Sequence, residues 1–267
     1  MISLLVALAV ARLAAAPLAV APLAVAPLLA ATAGAASLVA AAPEAPAAAS
    51  PATTATTPAA KRHAAKARAK PAPGDPATAV ARRIQAFYAH TKDFSATFAQ
   101  HYAYLAMGRA EDSAGTVRVK KPGFVRWDYE KPEARSIYLA GKTLWIWKPE
   151  DKEANVNRAF GGDQLSSAFT FLWGKGDLLK EFAPRAVARP DGLPAGDALE
   201  LTPLKPVTGV VKLLFIVGKD GQVLASVVTN PQGDVNQIVF SAAKVDQGLA
   251  DEVFRFEPPK GAYVQEL

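Results

Sequence analysis

Cysteine is absent from the 267-residue chain. That excludes disulfides, cysteine nucleophiles, thiolate metal sites and a lipid anchor on a mature N-terminal cysteine. Histidine is scarce: His63, His90 and His101 stand in no recognisable catalytic or metal-ligating spacing. No phosphate-cradling glycine loop occurs, because Gly161-Gly162 is followed by no Lys-Ser or Lys-Thr pair. Carboxylates sit singly among Lys and Arg, or in pairs such as Glu111-Asp112 and Asp251-Glu252 beside turns, as on a solvated surface. The sequence thus offers no recognisable catalytic constellation, and neither an enzyme, a metal nor a cofactor is expected.

Aromatic residues are missing before Phe87, so the first part of the chain cannot build a core. Residues 1–42 are dominated by Ala, Leu and Val, but Pro17, Pro22 and Pro27 interrupt the apolar run that a membrane-spanning helix needs. A secretory signal peptide is the expectation there. Residues 43–75 are Ala/Pro/Thr-rich with a basic stretch, KRHAAKARAK, and are expected to form a disordered linker. This stretch is read as a solvated spacer, with attraction to anionic lipid or envelope polymer as the other reading. Much of the formal charge of +6 comes from Arg12 and this linker. Residues 76–267 are nearly balanced in charge with signs interspersed, which argues against nucleic acid as a partner.

In Pro76 to His90 the spacing of Val80, Ile84, Phe87 and Tyr88 predicts a helix. Nearly everything after it has strand character. FSATFAQHYAYLAM, GTVRVKK, FVRWDY, SIYLA, TLWIW, NVNRAF, AVAR, ALELTPL, GVVKLLFIVG, QVLASVVTN, DVNQIVFSA and VFRFEPP are separated by Gly, Pro, Asn and Asp turns. One stretch breaks the alternation. Residues 162–174 carry Leu165, Phe169, Leu172 and Trp173 at helical spacing, and Asp177 to Phe182 reads as a second short helix.

Several strands are apolar on both faces. In TLWIW, Trp145 and Trp147 share one side while Leu144 and Ile146 share the other; in VVKLLFIV only Lys212 is polar. A sheet exposed on one side would alternate cleanly. A two-sheet sandwich core and a barrel around an apolar cavity both produce this pattern. The inserted apolar helices favour the lidded cavity.

The stretch KKPGFVRWDYEKPEARSIYLAGKTLWIWKPEDKEANV, with DFSATFAQ upstream and LELTPL, FIVGKDGQVLASVVTNPQGDVNQIVFS and VFRFEPPKGAYV downstream, resembles the LolA family of periplasmic outer-membrane lipoprotein carriers. The resemblance implies a mainly β fold: an incomplete, half-open antiparallel β-barrel of about eleven strands, with an N-terminal helix and short lid helices over an apolar cavity. It implies a periplasmic carrier domain over 76–267 that acts as a monomer without catalysis. Acylated lipoproteins would be its cargo, an ATP-driven inner-membrane release complex its donor, and an outer-membrane lipoprotein receptor its acceptor. Carried over by position, Phe98, Val125, Trp127, Tyr129, Trp145 and Trp147 would bind lipid. Leu165, Phe169, Phe171 and Leu172 would form the lid. Lys121 stands where the family often has the Arg that latches the lid, and it lacks that residue's planar fork. Val125 replaces an aromatic found in many relatives. A lipoprotein sensor regulating an envelope stress response is the alternative, though it normally carries a second domain. An integral outer-membrane barrel would need strands alternating between lipid and a polar lumen, unlike TLWIW.

Overall fold

A computed structural model describes residues 74–160, 177–207 and 209–267. The expected signal peptide and nearly all of the linker, and the expected lid residues Leu165, Phe169, Phe171 and Leu172, lie outside the described residues.

Helix α1 spans Pro76–His90, as its periodicity predicts. Asp75 caps it by accepting from the Thr78 backbone N–H at 3.1 Å, and Pro76 begins it where no N–H is needed. Among the described residues twelve strands follow: β1 (Asp93–Tyr104), β2 (Arg109–Lys120), β3 (Phe124–Lys131), β4 (Arg135–Ala140), β5 (Thr143–Lys148), β6 (Glu153–Asn157), β7 (Phe182–Ala186), β8 (Asp197–Pro203), β9 (Lys212–Val217), β10 (Val223–Thr229), β11 (Val235–Val245) and β12 (Tyr263–Glu266). A one-turn helix α2 (Leu178–Glu181) precedes β7.

All the strands belong to one sheet in the order β12-β6-β5-β4-β3-β2-β1-β11-β10-β9-β8-β7. Among the described residues its end strands β12 and β7 do not pair with each other, so the sheet is an open barrel of mainly antiparallel strands. The exception is β12, which joins β6 in parallel. Three expected strands differ from the structure, the first being AVAR, of which only Ala186 belongs to a strand. VFRFEPP forms a 3₁₀ turn at Asp251–Phe254 and an extended strap, not a strand, and the added strand comes from the last residues instead. β1 ends at Tyr104 in a 3₁₀ turn over Leu105–Met107.

Helix α1 defines the inner face of the sheet. Its Ala77, Ala81, Ile84 and Tyr88 share one buried cluster with Leu199, Leu201, Leu213, Phe215, Val217 and Val223. The helix lies so close to the β9–β10 turn that a side chain at Gly221 would meet the Arg83 carbonyl at 2.3 Å. An ion pair between Arg83 and Asp197 fastens the same helix to the start of β8.

The outer face carries two apolar zones of its own. Ala198, Ile216 and Ala225 are covered by Leu193 from the β7–β8 connection. Further along, the strap after β11 crosses β3, β4 and β5. Phe256 stacks on Tyr138 at 4.9 Å and meets Trp145 at 5.4 Å and Trp147 at 5.6 Å. Phe254, fully buried, packs on Phe124 at 5.6 Å. The buried carboxylate of Asp93 fixes where the strap leaves β11, accepting from the N–H groups of Gln247, Gly248 and Leu249 at 2.7, 2.8 and 3.2 Å.

Candidate functional site

Strand β3 places its alternating residues on opposite sides, as the period of 2 requires. Val125, Trp127 and Tyr129 point inward and are buried. Trp127 is in register with Val117 and Ile137, and Val125 with Val119 and Leu139, which makes a continuous apolar wall. Phe98 joins it from β1, with ring centroids 4.5 Å from Trp127 and 5.1 Å from Tyr129. These four of the six residues expected to meet lipid are therefore brought together.

Trp145 and Trp147 are not. The register pairs Trp145 with Tyr138, which pairs with Arg126, and Trp147 with Ser136, which pairs with Asp128. Both tryptophans thus lie on the outer face beneath Phe256, while Leu144 and Ile146 take the inner positions. The outer residues of β3 are polar for a related reason. Asp128 accepts from Arg126 Nε at 2.8 Å, Arg118 at 2.9 Å and Ser136 at 2.8 Å, while Arg126 also donates to the Val253 carbonyl in the strap at 3.2 Å.

Lys121 sits at the rim of the inner face. Its ammonium donates to the Tyr88 carbonyl in the last turn of α1, where the helix dipole favours a cation. Burial lowers its pKa below the ordinary lysine value, and Asp246 opposes that shift. Between this rim and Trp127, Tyr88, Thr91, Phe94 and Val119 enclose a mostly apolar cavity of about 30 Å³, room for a water or two.

Moving along β1 away from Lys121, the inner wall turns polar. Tyr129 Oη donates to Gln100 Oε1 at 3.1 Å, and Gln100 Nε2 donates to Asn236 Oδ1 at 2.9 Å. Burial pushes the Tyr129 hydroxyl up to about 12, an effect that the Arg135 guanidinium, 4.5 Å above its ring, partly offsets. Burial likewise raises Tyr88, whose Oη accepts from the Val223 N–H at 3.3 Å. Gln100, Asn236 and Ser226 went unnoticed in the sequence. The available signal was parity, because Asn236 shares its side of β11 with Ile238 and Phe240.

These observations define a half-open barrel with a helix-covered apolar interior and an aromatic inner wall. The family model described as outer membrane lipoprotein carrier protein LolA matches residues 89–257. The outer-membrane lipoprotein carrier protein of Cupriavidus taiwanensis is 31% identical over 195 residues, which cover 71% of this chain and 89% of that one. Its counterpart from Chromobacterium violaceum is 30% identical over 190 residues, covering 70% and 87%. Among solved structures, an uncharacterized conserved protein from Thermus thermophilus superposes with a TM-score of 0.47 at 15% identity, covering 72% of this chain and 99% of that one. The chain belongs to the LolA family of outer membrane lipoprotein carrier proteins, a family of carriers and not of enzymes.

Proposed function

We propose that the chain is exported to the periplasm, where its inner wall shelters the acyl chains of lipoproteins. It takes them from an ATP-driven release complex of the inner membrane and yields them to an outer-membrane receptor. The observation that carries this reading is the wall of Phe98, Val125 and Trp127, continued by Ile137, Leu139 and Ile146, large and apolar beneath an open-ended sheet. Family membership supports it. Among the described residues no helix is long and apolar enough to cross a membrane.

The physical need for such a carrier is large. Exposing an acyl methylene to water costs about 0.8 kcal/mol, so a lipid with roughly 40 of them faces on the order of 30 kcal/mol in an aqueous gap. A wall of aromatic and aliphatic side chains offsets this without fixed directionality, so a more apolar acceptor can take the cargo away. Expression in a bacterial periplasm, purification of the full chain without detergent, and mass spectrometry of bound material test the reading. Stoichiometric acylated protein or lipid is the expected result; a protein free of acyl chains would overturn it.

A further inference from the structure

Buried polar atoms are nearly always hydrogen-bonded, so those without a partner point to a missing ligand or water. On the inner face of the sheet Ser226 Oγ and Asn236 Nδ2 are such atoms, whereas the N–H groups of Trp127 and Arg135 are directed at the Tyr129 side chain. Ser226 and Asn236 are 0% and 2% exposed, so bulk water does not satisfy them. Both can donate a hydrogen bond, and the Asn236 amide nitrogen can only donate.

Their placement is ordered. Ser226 is in register with Ile238, and Ile238 with Gln100; Asn236 is in register with Val228 and Tyr102, one inward position further along. The chain from Tyr129 to Gln100 to Asn236 hands its hydrogen bonds in one direction and ends at the open amide of Asn236. Beyond Trp127, toward Lys121, the wall is Phe94, Val119, Val125, Leu139 and Leu144. The interior is thus a donor-rich end joined to an apolar end.

A ligand that matches has uncharged acceptor oxygens at one end and hydrocarbon at the other. We infer that the inner-face donors of Asn236 and Ser226 receive the ester or amide carbonyls at the head of an acylated ligand, whose chains run toward Lys121. This rests on the carrier reading and adds to it the orientation of the cargo and the chemistry that recognises its head. It also explains how a non-directional wall could favour a diacylglyceryl group over a bare alkyl chain.

The full chain would be titrated with two soluble lipopeptides of one sequence, one carrying a dipalmitoyl-glyceryl group on its cysteine and the other the dihexadecyl ether that lacks both ester carbonyls. Wild type is expected to bind the ester at least tenfold more tightly. Asn236→Leu and, independently, Ser226→Ala should bring ester affinity down toward that of the ether while changing ether affinity less than twofold. Ser226→Ala removes one hydroxyl from the fold, so it serves if Asn236→Leu, which also deprives Gln100 of an acceptor, does not fold. Equal binding of ester and ether by wild type would overturn the inference and leave the carrier reading standing, the donors then being filled by trapped water. Failure to bind either ligand would overturn the carrier reading itself.

Discussion

Phe256 tests the assignment of faces most directly. Its ring closes a box on Tyr138, Trp145 and Trp147 on the outer side of the sheet, opposite the wall of Phe98 and Trp127. Truncating a fully buried Phe to Ala costs about 3–5 kcal/mol. Phe256 is only partly buried. Of this cost, aromatic pairing supplies about 0.5–1.5 kcal/mol per ring pair. A loss of roughly 2–3 kcal/mol is the expectation for Phe256→Ala, equivalent to a fall in Tm of roughly 4–12 °C for a domain of this size. Trp145→Ala should behave alike, because it removes a wall of the same box.

The assay pairs urea denaturation with binding of an acylated lipopeptide under conditions where each variant stays folded. Both substitutions should lower the denaturation midpoint and leave affinity within about twofold, since the strap and the inner wall are separated by the sheet. A variant of Trp145 or Phe256 with wild-type stability but more than tenfold weaker lipid binding would refute the reasoning. It would return the outer tryptophans to the lipid site.

Two further outcomes follow from particular contacts. Asp93→Ala removes a buried carboxylate shared by three backbone N–H groups at the start of the strap; urea denaturation should show a loss of about 2–4 kcal/mol with Asp93→Asn falling between, and an Asn variant as stable as wild type would show that the charge contributes nothing. The Tyr129 hydroxyl is held neutral by burial, its pKa raised from 10.0 to about 12. Its contribution to stability is therefore full below pH 10 and lost as the pH climbs toward 12. Near-ultraviolet tyrosinate absorbance of the folded protein should contain a late step that Tyr129→Phe removes, and an unchanged titration curve in that variant would contradict the burial argument.

The alternation in FVRWDY was legible because the period of a strand is fixed by covalent geometry. Val125, Trp127 and Tyr129 had to share a face, and the helix at Pro76–His90 was equally plain from its spacing. What TLWIW could not disclose is which of its two apolar sides faces inward. Parity groups Trp145 with Trp147 and Leu144 with Ile146, but the choice between them is made by the strap, whose Phe256 lies over a hundred positions away in sequence. The resemblance transferred the larger side chains to the cavity, and the register reverses that. Gln100, Asn236 and Ser226 were missed for the opposite reason: parity groups Asn236 with inward apolar residues, but a single polar residue among them looks like a solvated position until its burial is seen. Lys121 was singled out as a lid latch from the resemblance, while the contact it makes among the described residues, with the end of α1, depends on a helix placed by tertiary packing.

Strands apolar on both faces also fit the proposed carrier function, in which the interior accepts and releases material. A sheet held only by its inner core would change stability whenever the contents changed. Here the outer zones supply packing that the contents do not touch: Leu193 over Ile216 and Ala225 beside one edge, Phe254 and Phe256 over Phe124, Tyr138, Trp145 and Trp147 toward the other. The Asp93 clamp and the ion pair of Lys120 with Asp251 at 2.6 Å tie that outer covering to β1 and β2, at the middle of the strand order. The curvature of the sheet can then persist while the inner wall exchanges one apolar surface for another. The aromatic side chains of β5, to which the resemblance assigned lipid contact, belong to this outer packing and, on the proposed carrier reading, leave the opposite face free to exchange its contents.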